Sequence, residues 1–229
     1  MYQPIREQYS NNRNYINQSD RVNNRVNQDR ERRPWNADNE YHQHKKTVPG
    51  NSTYTDIAKN GRKVILLSDS MCGRMNMKDF SNKIKNGIGY RTYYPKATAV
   101  NLKHYCTEPL NHDKTDEVII HVGTNSLGKE DTCKIAKDIT EVVKTVREHG
   151  VNKIYVSAIT FRPGFENEVK QVNDILYQKS HIYDYKFIGN TNITSSFIFK
   201  DKTHLTDDGT KMLSANFIRA VNSNIKFPV

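Results

Sequence analysis

From residue 61 onward, compact apolar runs alternate with stretches in which apolar residues recur every three or four positions. Lys63–Leu67 ends in four consecutive branched apolar residues, the pattern of a strand buried on both faces. Glu117–Val122 and Lys153–Ile159 read the same way, with Tyr90–Tyr94 and Lys186–Gly189 as shorter strands. Asp131–His149 carries Ile135, Ile139, Val142, Val143 and Val146 at helical spacing, and Gly150 follows as a stop. Glu166–Ile182, with Val169, Val172, Ile175 and Leu176, and Asp207–Asn222, with Met212, Leu213 and Phe217, are also predicted helices. Asn76–Asn86 and Ala99–Cys106 are predicted as shorter ones. This alternation predicts an α/β fold, a three-layer α/β/α sandwich around a mostly parallel five-stranded sheet. Right-handed crossovers then bring every strand's carboxyl end to one edge.

Residues 1–60 break the pattern. They are dense in Asn, Gln and Arg, and their few apolar residues show no period. Such a stretch cannot bury enough surface to offset its ordering entropy, so a disordered polar and basic tail is expected before a folded domain over 61–229. The mean hydropathy of −0.82 fits a chain of which part is unfolded.

Charge adds a candidate partner. The chain carries a formal +10, which suits an anionic partner such as nucleic acid. Residues 1–60 hold ten Lys and Arg against seven Asp and Glu, so most of the excess lies on the folded part. Local density is nevertheless highest in the tail. There Arg30, Arg32 and Arg33 precede Trp35, a grouping that can grip phosphate and stack on a base of RNA or single-stranded DNA. The competing reading is a solvated linker. The opening residues, Met1–Gln8, lack the apolar stretch of a secretory signal, and no segment is apolar enough for a membrane span. An intracellular, cytoplasmic protein is expected. Cys72, Cys106 and Cys133 are too scattered for a disulfide framework or a zinc site, so no metal and no cofactor are expected.

The candidate chemistry lies at the predicted strand ends. Ser68-Asp69-Ser70 closes the first strand, His121–Ser126 follows the buried Glu117–Val122 strand, and Asp201-Lys202-Thr203-His204 precedes the last helix. A serine hydroxyl is a poor nucleophile until a base takes its proton, and His204 can be that base for Ser70. Asp201, three residues earlier, can fix the imidazole tautomer and stabilise its charged form. Asn125 can donate its side-chain amide to a developing oxyanion, and so can the backbone N–H of Ser70. Ser70 has a second reading as a helix cap, and His121 reads as a packed strand histidine.

S-D-S, H-V-G-T-N and D-K-T-H-L-T-D-D-G, in this order, resemble the SGNH (GDSL-type) hydrolases over about Lys63 to Ile225. The resemblance implies a flavodoxin-like fold and a Ser–His–Asp esterase site without a cofactor. Ser70 would be the nucleophile, His204 the base, Asp201 its partner and Asn125 an oxyanion donor. Gly123 would permit the turn that aims Asn125. Two positions depart from the family pattern. Ser68 stands where the first motif usually has glycine, and Lys96 stands where the second supplies an oxyanion glycine. Lys96 still offers its backbone N–H, although lysine resists a positive φ. The wording Y-Y-P-K-A-T and V-I-I-H-V-G-T-N-S-L is most similar to esterase domains in the first open reading frame of animal non-LTR retrotransposons. The expected activity is hydrolysis of small acyl or acetyl esters. The alternative is a degenerate domain of the same fold, serving as a nucleic-acid-binding or assembly module.

Overall fold

In the computed structural model, residues 61–112 and 114–223 are described. Five strands, β1 (Arg62–Ser68), β2 (Gly87–Tyr93), β3 (Glu117–His121), β4 (Lys153–Ser157) and β5 (Lys186–Ile188), form one sheet in the order β2-β1-β3-β4-β5. Every pairing is parallel. The helices are α1 (Met77–Asn82), α2 (Ala99–Tyr105), α3 (Thr107–His112), α4 (Thr132–Glu148), α5 (Glu166–Ile182) and α6 (Asp207–Asn222).

The period-2 pleat sends alternate strand residues to opposite layers. Ile65, Leu67, Val118 and Ile120 pack with Leu102 of α2, Ile139 and Val143 of α4, and Val172 and Leu176 of α5. Val64, Leu66 and Ile119 face the other way, against Phe80 of α1 and Leu213, Phe217 and Val221 of α6. The result is the expected three-layer sandwich, all-parallel rather than mostly so. Strand order reverses between β1 and β3, the switch point at which open parallel sheets leave a crevice beyond their carboxyl ends. The candidate loops after β1 and β3 flank that crevice.

Some bounds differ from expectation. β2 starts at Gly87 because Gly89 is a strand residue, packed so closely that a Cβ there would lie 2.6 Å from the Phe80 ring. α1 is shorter than predicted, and α3 was hidden by the short, mixed composition of its segment. Ser68 is the last residue of β1, not the first residue past it. No helix among the described residues is long and apolar enough to cross a membrane. The expected tail, with Arg30, Arg32, Arg33 and Trp35, lies outside the described residues.

Candidate active site

Ser70 opens a short 3-10 turn, Ser70–Cys72, directly beyond β1. The turn is capped from below: Asp69 Oδ1 accepts the Met71 N–H at 2.9 Å. Arg91 on β2 donates one guanidinium nitrogen to the carbonyls of Cys72, Gly73 and Met75, at 2.9, 3.0 and 2.9 Å. The loop carrying Ser70 is therefore tied to its neighbouring strand. The adjacent Cys72 thiol is fully buried and pushed up to about 12 by desolvation and then by the Asp69 charge, so it is chemically inert.

Beyond β3 the chain turns at Gly123, with φ +124°. A Cβ at this position would lie 2.7 Å from Ile159 Cδ1, so conformation and space both demand glycine. The turn presents Asn125, whose Nδ2 donates to the Ala97 carbonyl at 3.0 Å. An amide nitrogen carries two hydrogens, so one remains for a ligand. Ala97 belongs to the loop after β2. There the Ala97 N–H donates to the Tyr94 carbonyl at 3.1 Å across Pro95 and Lys96. Proline second and a positive φ third, +64° at Lys96, are the signature of a type II turn. Lysine has thus taken the left-handed position that glycine usually fills.

The third loop is a tight turn closed by an Ile198–Leu205 bridge, with the Phe199 N–H donating to the His204 carbonyl at 2.8 Å. His204 Nδ1 meets Asp201 Oδ2 at 2.8 Å, and Asp201 Oδ1 accepts the N–H groups of Thr203 and His204, both at 2.9 Å. The His204 contact first, and the two backbone donors next, hold the Asp201 carboxyl down at about 2. A carboxylate can only accept, so Nδ1 carries the proton and the Nε2 lone pair is left free. Both side chains are about half exposed, 44% and 50%, so solvent screens the pair and its effect is orientation rather than stability.

The three loops converge. Arg74, four residues after Ser70, stacks on Phe199 at 4.8 Å from the ring centre. The charge of His204 also reaches Asp69 and favours its ionised form. Ser70 and His204 are not joined by a hydrogen bond. Such bonds are commonly long in unliganded sites and tighten on substrate.

Below the loops lies a buried polar row that sequence reading saw only as His121. Ser68 and His121 are register partners, and His121 Nδ1 meets Ser157 Oγ at 2.9 Å. Asn190 Nδ2 donates to the same Ser157 oxygen at 2.8 Å, and Asn216 of α6 donates to Asn190 Oδ1 at 2.9 Å. Burial pushes His121 down to about 4, so it is neutral. Asp69, also fully buried, is raised to about 7 by desolvation, against the opposing pull of the Met71 N–H, His204 and Arg162. Arg162, past β4, was likewise missed. It donates to the Thr124 carbonyl and stacks on Phe165. Its only signal was a polar residue just after a strand that ends on the same edge.

No protein-family model matches the chain, and no curated protein matches it in sequence. Solved structures do match in fold. A lipase/acylhydrolase from Enterococcus faecalis superposes with a TM-score of 0.61 at 15% identity, covering 73% of this chain and 99% of its own. Est24, a carbohydrate acetylesterase from Sinorhizobium meliloti, gives 0.58 at 15% identity over 70% of this chain and 98% of its own. A member of the lipolytic protein G-D-S-L family from Veillonella parvula gives 0.60 at 13% identity over 69% and 97%. These comparisons lend no support to the closer kinship with retrotransposon esterase domains. At such identities the likeness is one of architecture: the chain has the α/β fold of these solved structures, with its candidate loops on the carboxyl edge of the sheet.

Proposed function

We propose that this chain is a serine hydrolase of the SGNH kind that cleaves carboxylic esters. The observation that carries the reading is the Asp201–His204 contact at 2.8 Å, which leaves Nε2 free beside the loop of Ser70 at the sheet's switch point. In this reading His204 Nε2 takes the Ser70 hydroxyl proton as Oγ bonds to the acyl carbon. The second Asn125 N–H and the backbone N–H groups of Ser70 and Lys96 receive the developing oxyanion. The intermediate collapses, its bond to the alcohol oxygen breaks, and His204 returns the proton to that oxygen. Water, deprotonated by His204, then releases the acid and restores Ser70. The acetylesterase and acylhydrolase descriptions of the structural neighbours support small acyl esters as the substrate class.

The test is turnover of 4-nitrophenyl acetate together with labelling by a fluorophosphonate. Ser70→Ala and His204→Ala are each expected to lower kcat by about 10⁴ or more, and Ser70→Ala to abolish labelling. Wild-type turnover in Ser70→Ala overturns the reading.

A further inference from the structure

We infer that the cavity bordered by Arg74, Phe199, Lys200 and Asp201 is a subsite for an oxyanion carried on the alcohol part of the ester. This rests on the hydrolase reading above. The cavity is open and holds about 480 Å³. Its walls join two of the three candidate loops, because the Arg74 guanidinium carbon lies over the Phe199 ring, 4.8 Å from its centre. That stack fixes an otherwise long, exposed side chain at the cavity wall.

The electrostatics point to an anion. Neither Arg74 nor Lys200 has an ion pair or hydrogen bond among the described residues. Some other exposed lysines are matched by a nearby carboxylate, as Lys83 is by Asp79, Lys134 by Asp138 and Lys170 by Asp174. The acid that borders the cavity, Asp201, supplies one negative charge and is already engaged. Asp201 spends Oδ1 on two backbone N–H groups and Oδ2 on the His204 ring. Two cations thus stand against one carboxylate around an aromatic face beside the base, which leaves the wall with net positive charge. Lys202, next along the turn, adds a further exposed cation without a partner among the described residues. The location selects the alcohol half of the ester. In the proposed mechanism His204 returns its proton to the alcohol oxygen, so that half lies on the His204 side. Three of the four residues that border the cavity, Phe199, Lys200 and Asp201, lie just before His204 in the same turn. A phosphate or a carboxylate on the alcohol fits this chemistry, and a guanidinium can hold either through paired N–H donors.

The experiment compares three acetate esters of phenols: neutral 4-acetoxybenzamide, 4-acetoxybenzoate and 4-acetoxyphenyl phosphate. The ratio of kcat/KM for each anionic ester to that for the neutral ester is measured in the wild type, in Lys200→Gln and in Arg74→Gln/Lys200→Gln. The wild-type ratio is expected to fall several-fold between 20 and 500 mM NaCl, as screening predicts. The double variant is expected to lower it about tenfold, and the larger drop among the two anions identifies which one the subsite takes. A variant that merely loosens the turn lowers all three rates together. An unchanged ratio in the double variant, with turnover intact, overturns the subsite and leaves the hydrolase. A second arm needs no turnover: calorimetric binding of 4-hydroxyphenyl phosphate and of 4-hydroxybenzoate to wild type and double variant. Anion binding lost in the double variant, in a protein that cleaves none of the esters, keeps the anion site and overturns the hydrolase. No binding of either anion and no charge preference in turnover overturn the subsite.

Discussion

The guanidinium of Arg162 donates to the carbonyl of Thr124, the residue immediately before Asn125. A side chain from the loop after β4 thus holds the turn that follows β3, while its guanidinium also stacks on Phe165 at 4.8 Å. Gly123 makes the turn possible, and Arg162 fixes where it ends up. Asn125 is expected to be only as well aimed as that anchor allows.

Replacing Asn125 by alanine removes an oxyanion donor and is expected to lower kcat on 4-nitrophenyl acetate by about 10²–10³. Arg162→Ala leaves the donor present but loosely held, and is expected to lower kcat by about tenfold with little change in KM. Arg162→Lys is not expected to restore it, because an ammonium lacks the flat fork and the stacking face. Full activity in Arg162→Ala means that the turn needs no anchor.

Asp69 makes stability fall as pH rises from acid to neutral. Its carboxyl is raised from 3.8 to about 7 by burial. The folded state therefore binds this proton more tightly than the unfolded chain does. The resulting stabilisation is complete below the unfolded value and is lost as pH rises to about 7. His121 acts in the opposite sense. Its folded value is lowered from 6.5 to about 4, so its contribution is complete above 6.5 and is lost as pH falls to 4. The two partly cancel between these limits. Asp69→Asn isolates the first, since an amide keeps the acceptor for Met71 and does not titrate. The gap in unfolding free energy between variant and wild type is expected to widen in favour of the variant from pH 4 to pH 8. Its upper bound is about 4 kcal/mol. Urea unfolding at four pH values measures it, and a gap independent of pH rules out a titrating Asp69.

Lys96 sits at φ +64°, where an L-residue bears a cost of about 1 kcal/mol. Lys96→Gly relieves that cost but adds freedom to the unfolded chain, by up to about 1 kcal/mol. The Tm is expected to stay within about 3 °C of the wild type. Lys96→Val places a branched side chain in the same conformation and is expected to lower Tm by about 3–6 °C. Equal melting of all three proteins means that the turn relaxes out of the left-handed region.

Legibility in the sequence followed the range of each interaction. Strands and long helices are written in short windows, as four adjacent apolar residues at Val64–Leu67 or as the spacing of Ile135, Ile139 and Val143. Asp201 and His204 are three residues apart, and their contact was readable for the same reason. Arg162 reaching Thr124 and Arg91 reaching Met75 join different loops, and neither partner's neighbourhood marks it. The polar row was hidden because nothing near Ser157 in its predicted strand, Asn190 after the last one or Asn216 in the last helix marks them as partners until β4, β5 and α6 are brought together. Gly89 illustrates the opposite error. Its lack of a side chain argues against a strand locally, yet the close packing of Phe80 on the strand leaves no room for a Cβ there.

α6 follows all five strands in the chain, yet it covers the face that β1 and β3 turn away from α4. During synthesis Val64, Leu66 and Ile119 emerge early and must wait for Leu213, Phe217 and Val221 before that face is closed. Every strand pair is parallel and joined through a crossover, so no hairpin can form in the meantime to shelter them. Such a topology folds slowly and leaves apolar surface exposed while the chain is unfinished. A nascent chain halted before residue 207 is thus the species most in need of a chaperone, and release of its last helix is the event that frees it.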